Sequence, residues 1–203
     1  MIKTIIFDFG NVFINLDIKG AHQHALEAFN IDSFSEEMQA YNSFYEQGLI
    51  STDEFLEFYL SNFPEFSKDQ LIDIWNYMLK DFPEYRLKFL QELKTTGKFK
   101  LILLSNTNEL HIDWIKQQVP FYKTFKSCFD KFYLSHEINL IKPNYNIFEF
   151  VLNTNKLIAN ECLFIDDNQD NIKSANSLNI NTWHIHPDTE DIINLFKVKS
   201  HLF

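Results

Sequence analysis

The chain has 203 residues, 45% of them apolar, enough for a substantial core and an inserted subdomain. Eighteen lysines and arginines stand against 28 aspartates and glutamates, a formal net charge of 18 − 28 = −10. That sign argues against general binding to nucleic acid or an anionic membrane, and points to a small soluble partner. Two cysteines, Cys128 and Cys162, lie in apolar stretches without metal-ligand spacing. No run of 18 uninterrupted apolar residues occurs, and the apolar start meets Asp8 too early for a signal segment, so a cytoplasmic protein with reduced thiols is expected.

The first predicted strand is Thr4 to Phe9, overlapping the stretch Ile5-Ile-Phe-Asp-Phe-Gly-Asn-Val12. It carries Asp8 at the end of an apolar run, where a lone carboxylate is costly to bury. Residues from about Leu16 to Phe82 have helical periodicity and room for four helices. Ser51-Thr-Asp-Glu54 and Ser67-Lys-Asp-Gln70 both have the capping-box pattern, in which a serine hydroxyl and a side chain three residues on satisfy each other's backbone N–H groups. Pro83 opens a further helix that Gly97 ends. Beyond it, strands are predicted at Phe99 to Leu104, Lys131 to Leu134, Cys162 to Ile165 and Asn181 to Ile185, with helical patterns between the later ones.

Strand–helix alternation predicts an α/β fold with a Rossmann-like parallel sheet. The expected division is residues 1–15 and 83–203 as the α/β core and residues 16–82 as an inserted helical cap.

In such sheets ligands sit beyond the carboxyl ends of the strands. Those ends carry Asp8, then Ser105-Asn106-Thr107-Asn108, then Lys142-Pro143 in the loop after the third strand, then Asp166-Asp167-Asn168. Each has an ordinary structural alternative: a turn cap for Asp8, a helix N-cap for the asparagine-rich segment, a solvated loop for Lys142. The adjacent carboxylates are harder to dismiss, because two such charges ~4 Å apart repel by about 4 kcal/mol at intermediate dielectric. A calcium loop starting at Asp166 fails, since Asn171 stands at the glycine position and Ser177 at that of the closing glutamate. Asp8 and Asp167 instead suit Mg²⁺, a hard ion that takes oxygen ligands, with a phosphate nearby.

Taken together, the segments FDFGNV, LLSN, KP and FIDDNQDN resemble the four motifs of the haloacid dehalogenase-like (HAD) hydrolases, over the whole chain. The resemblance implies Asp8 as the nucleophile that carries a covalent phosphoryl group. It assigns Ser105 and Lys142 to catalysis, Ser105, Asn106 and Lys142 to substrate binding, and Asp8, the Gly10 carbonyl, Asp166 and Asp167 to the metal. It also implies a C1-type helical cap, with Tyr45 to Phe55 as its recurrent turn. Gly10 departs from the pattern, because most phosphatases of the family have there an aspartate that protonates the leaving oxygen. A DxGNV subgroup resembling bacterial α-D-glucose-1-phosphate phosphatase shares the change.

The expected activity is Mg²⁺-dependent hydrolysis of a small phosphorylated metabolite, such as a sugar 1-phosphate. A 2-haloacid dehalogenase and a non-catalytic phospho-ligand-binding module are the alternatives. The pairs His22/His24 and His184/His186 are read as structural. Nothing in the sequence indicates an oligomeric state.

Overall fold

The computed structural model describes residues 1–203. In chain order the elements are β1 (Thr4–Phe7), α1 (Ile18–Phe29), α2 (Glu36–Glu46), α3 (Thr52–Asn62), α4 (Lys68–Asn76), α5 (Glu84–Thr95), β2 (Lys100–Ser105), α6 (Glu109–Gln118) and α7 (Tyr122–Ser127). They continue with β3 (Lys131–Leu134), α8 (Ser135–Ile138), α9 (Tyr145–Asn155), β4 (Cys162–Asp166), α10 (Gln169–Ser177), β5 (Asn181–His184) and α11 (Leu195–Val198). The strands form one parallel sheet in the order β3-β2-β1-β4-β5, a Rossmann-like arrangement. No helix is long and apolar enough to cross a membrane.

Crossover helices cover both faces of a parallel sheet, so its central strands are apolar at consecutive positions. Alternate residues then serve opposite faces. Ile5, Phe7, Leu101, Leu103, Leu163 and Ile165 join one large cluster with residues of α5, α6, α7 and α11. Ile6, Ile102, Leu104 and Phe164 pack on the other face against Ile147, Phe148 and Val151 of α9 and Ala175 of α10.

Five strands were expected and five are present, with small shifts at their ends. The first stops at Phe7 because the chain turns at once: Phe13 and Ile14 both donate their N–H to the Phe9 carbonyl, and Gly10 bridges to Ile14. Asn11 takes φ of 54° in that turn, a left-handed conformation that asparagine tolerates well. The fourth strand runs on to include Asp166.

Four helices occupy the expected segment, and Ser51/Glu54 and Ser67/Gln70 both form capping boxes. Loss of such a cap costs about 1 kcal/mol. Phe29, Met38, Tyr45, Phe55, Tyr59 and Leu71 of these helices belong to a separate apolar cluster. The chain leaves and re-enters the sheet layer side by side: Asn15 donates to the Asp81 carbonyl at 2.9 Å, Asp17 to that of Met78 at 2.9 Å, and Leu16 bridges Leu79. This layer is tied to the sheet layer through the end of α2. Ser135 donates its hydroxyl to the Glu46 carbonyl at 2.6 Å, and Asn139 donates to the carbonyls of Gln47 and Gly48.

Gly48 has φ of 68°, and a Cβ there would collide with the main-chain carbonyl of His136. Gly97 has φ of 63° with nothing within 4 Å of the same position. Gly48→Ala should therefore destabilise the protein by ~2 kcal/mol or more, and Gly97→Ala by only about 1 kcal/mol. Urea denaturation midpoints of the two variants measure the difference; equal midpoints would show that the contact with His136 yields freely.

Candidate active site

Four segments deliver polar groups to the carboxyl edge of the sheet. The register Phe7↔Leu103 and Phe7↔Ile165 aligns the ends of β1, β2 and β4, so Asp8, Ser105 and Asp166 emerge together. Lys142, 1% exposed in its side chain, reaches between two of these strand ends. Its ammonium lies 2.8 Å from Asp8 Oδ1 and 2.6 Å from Asp166 Oδ2. The loop that carries it is held by Asn106, whose amide donates to the Lys142 carbonyl at 2.8 Å and accepts from the Lys142 N–H at 3.0 Å. Both ends of that amide are thus spent on the lysine main chain. Ser105 is buried, and its hydroxyl makes a 3.3 Å contact to the Asn106 carbonyl.

The two adjacent aspartates occupy different surroundings. Asp166 is fully buried and saturated: besides Lys142 it accepts from the Asn168 N–H at 2.8 Å and from the Asn171 amide at both oxygens. Asp167 is partly exposed and accepts a side-chain hydrogen bond at one oxygen, from Asn11 Nδ2 at 2.8 Å. Asn11 also accepts the Leu16 N–H at 2.9 Å, so its left-handed turn and its hold on Asp167 are parts of one arrangement. Sequence reasoning gave this residue no role, although it stands inside the first motif, directly after Gly10. His184 Nε2 donates to the Asp167 carbonyl at 2.9 Å, which explains one of the histidine pairs. Of the other pair, His24 stacks on Tyr77 at 4.2 Å between ring centres.

Asp8, Asp166 and Asp167 each offer an oxygen within 4.8 Å of the others. The Gly10 carbonyl, two residues beyond Asp8, accepts no hydrogen bond. Fully ionised, three carboxylates and one lysine carry −3 + 1 = −2, and the donors are hard oxygens, so the set fits a divalent cation of the Mg²⁺ type. Side-chain space at residue 10 is already filled, because a Cβ on Gly10 would lie 2.5 Å from Leu16 Cδ1.

Burial dominates the ionisation of the cluster. It pushes Asp8 up from 3.8 to about 7, against the pull of Lys142 and with Asp166 adding to the rise. Asp167 is raised too, by burial first, with the Asn11 hydrogen bond opposing. Burial would depress the Lys142 ammonium, but Asp166 and Asp8 outweigh it and hold the lysine above its ordinary value.

The family model of haloacid dehalogenase-like hydrolases matches residues 2–179, and the chain belongs to this family. It is 28% identical over 197 residues to the D-ribitol-5-phosphate phosphatase of Bacteroides thetaiotaomicron, covering 90% of this chain and 91% of that protein. The crystal structure of a HAD-family enzyme of Bacteroides thetaiotaomicron in a magnesium complex superposes with a TM-score of 0.85 at 33% identity, over 97% of this chain and 98% of that one. A HAD-like hydrolase of Porphyromonas gingivalis gives 0.84 at 27% identity, over 98% and 97%.

A group with a raised folded-state pKa stabilises the fold at low pH and loses that contribution as pH rises through the folded value. Between its ordinary 3.8 and about 7, Asp8 keeps in the folded state a proton that the unfolded chain releases, so without metal its contribution falls across this window. A cation binds the ionised carboxylate and competes with the proton. Saturating Mg²⁺ should therefore raise the melting temperature more at about pH 8 than at about pH 5.5. An equal shift at both values would mean that Asp8 is not a ligand. Asn11→Ala, which frees Asp167, should weaken Mg²⁺ binding by about tenfold or more in a calorimetric titration.

Proposed function

We propose that the chain is a Mg²⁺-dependent phosphatase that frees inorganic phosphate from a small sugar or polyol phosphate, with Asp8 as its nucleophile. The observation that carries this reading is the buried Lys142 held between Asp8 and Asp166, with Asp167 offering an oxygen within 4.8 Å of theirs. The lysine, pinned through Asn106, orients Asp8 and offers its charge to phosphoryl oxygens. Ser105 is the donor closest along the adjacent strand. Asp166 serves as the fixed counter-anion of Lys142, leaving Asp8, Asp167 and the Gly10 carbonyl as the groups that would hold Mg²⁺. When bound, Mg²⁺ supplies a Lewis acid that offsets the cluster's excess of −2 and lets an anionic substrate approach.

Asp8 attacks phosphorus, the ester P–O bond breaks, and the electron pair leaves with the departing oxygen, which takes a proton from solvent; water then attacks phosphorus, the bond between phosphorus and the Asp8 oxygen breaks with its electron pair returning to the carboxylate, and the water's proton is released to solvent. Residues 16–82 act as a cap that keeps bulk water away during phosphoryl transfer to Asp8. Phosphatase character is supported by the ribitol-5-phosphate relative and by the magnesium complex of the structural neighbour.

The choice of ester rests on Gly10. Without an acid there, a weakly basic leaving group such as the anomeric oxygen of a sugar 1-phosphate departs more easily than a primary alkoxide. The DxGNV resemblance supports the same ester.

Phosphate release should cease in chelator and return with Mg²⁺, and Asp8→Asn should lower kcat at least ~10³-fold. Acid quenching during turnover should trap the phosphoryl group on Asp8, read by mass spectrometry of the peptide, and labelled oxygen from water should enter the released phosphate and not Asp8. Activity in chelator towards a haloacid would favour the dehalogenase alternative, and tight Mg²⁺-dependent ligand binding without turnover the non-catalytic one. For one sugar, the 1-phosphate should exceed the 6-phosphate in kcat/KM by about 10²-fold or more; equal values would mean that another residue supplies the proton.

A further inference from the structure

Arg86 is the one arginine in a chain that otherwise carries its side-chain cations on 17 lysines. It stands in the first turn of α5, where the helix dipole favours negative charge, and its side chain is 7% exposed. Neither the helix nor the carboxylate cluster accounts for it, since Lys142 already supplies the cluster with a buried cation. The guanidinium makes four hydrogen bonds. Nε and Nη2 donate to Asp191 Oδ2 at 3.2 and 3.1 Å, while Nη1 donates to the Phe13 carbonyl at 3.2 Å and to Asn15 Oδ1 at 2.8 Å. Asp191 is itself fixed, because it also accepts the Tyr85 hydroxyl at 2.7 Å and the Ile193 N–H at 3.2 Å.

Phe13 and Asn15 flank Ile14, and Ile14 closes the first-motif turn. Its N–H donates to the Phe9 carbonyl at 3.2 Å, and its carbonyl accepts the Asn11 N–H at 2.7 Å. Asn11 in turn holds Asp167 at 2.8 Å, so a continuous set of bonds leads from Arg86 through the turn to a carboxylate of the cluster. Asn11, Asn15, Arg86 and Asp191 line one cleft. Asn15 also donates from Nδ2 to Asp81 Oδ1 at 2.9 Å, so the same guanidinium steadies the place where the chain leaves and re-enters the sheet layer. A lysine ammonium is a compact point charge, whereas the planar fork of arginine meets a carboxylate on one side and a carbonyl and an amide on the other. Loss of that fork would release Phe13 and Asn15, and with them the left-handed turn that aims the Asn11 amide.

We propose that Arg86 is a positioning residue of the metal site: anchored on Asp191, it holds the turn from Phe9 to Asn15 so that the Asn11 amide presents Asp167 to Mg²⁺. This rests on the assignment of Mg²⁺ to the carboxylate cluster made above.

The test is a calorimetric Mg²⁺ titration of wild type, Arg86→Lys, and Arg86→Met combined with Asp191→Asn, each repeated in an Asn11→Gly background. The combined variant leaves no uncompensated carboxylate, and glycine keeps the left-handed turn while removing the amide. Gly97→Ala, at the far end of α5, is the control for lost stability alone, and circular dichroism verifies folding. With Asn11 present, both Arg86 variants should weaken Mg²⁺ binding about tenfold, and Gly97→Ala should leave it unchanged. In the Asn11→Gly background the same changes should alter Mg²⁺ affinity less than about twofold, because the amide through which Arg86 acts is gone. Folded Arg86 variants that bind Mg²⁺ as wild type does, equal losses in the two backgrounds, or no Mg²⁺ binding by wild type each overturns the proposal. Phosphate release from sugar phosphates, followed in parallel, separates the two readings. Mg²⁺ binding that depends on Arg86, without turnover of any ester, supports the positioning role and sinks the phosphatase reading; turnover with Mg²⁺ binding indifferent to Arg86 does the reverse.

Discussion

Lys142 is the residue on which the rest of this site depends. An ammonium that is almost fully buried is tolerable only because Asp8 and Asp166 accept from it at 2.8 and 2.6 Å, and removing one member of a buried pair leaves an uncompensated charge worth about 3–5 kcal/mol. The surrounding bonds make this geometry unavoidable. Asn106 locks the main chain on either side of the lysine carbonyl and N–H, while Asn168 and Asn171 occupy Asp166 so that it cannot swing elsewhere. The unsatisfied share of negative charge is left to Asp8 and Asp167, where chemistry can use it.

That division explains why two neighbouring aspartates have different work. Asp166 is turned into the protein and saturated, whereas Asp167 faces outward with one oxygen steadied by Asn11. Successive residues at the end of a strand point to opposite sides, so a pair of adjacent acids supplies one buried anchor and one accessible carboxylate. Asn11 joins the first and fourth motifs directly, and its left-handed backbone is what turns the chain sharply enough for the amide to arrive.

The helical layer and the sheet layer are joined chiefly by neutral contacts at the end of α2 and the start of α6. Ser135 to Glu46, Leu110 N–H to the Tyr45 hydroxyl at 3.1 Å, Asn139 to Gln47 and Gly48, and His111 to Trp75 need no ionised partner. Burial takes the His111 pKa down to about 4, so its bond to the Trp75 carbonyl keeps the neutral ring through the range in which Asp8 titrates.

Much of this was legible in the sequence. Apolar runs at β1, β2 and β4, two capping boxes and the order of four polar segments are local features, and local chemistry reports them directly: a strand buried on both faces is apolar at consecutive positions, and a serine three residues before a glutamate or glutamine, ahead of an apolar periodic run, marks a helix start. What the sequence did not disclose depended on contacts between residues far apart. That Asn106 clamps Lys142, that Asn11 reaches Asp167 across 156 positions, and that Asp166 rather than Asp167 takes the lysine are all set by strand order and register. Composition and spacing determined which groups reach the edge of the sheet; only the tertiary structure decided which of them pair, because hydrogen bonds and ion pairs act over about 3 Å and the chain brings such partners together only by folding.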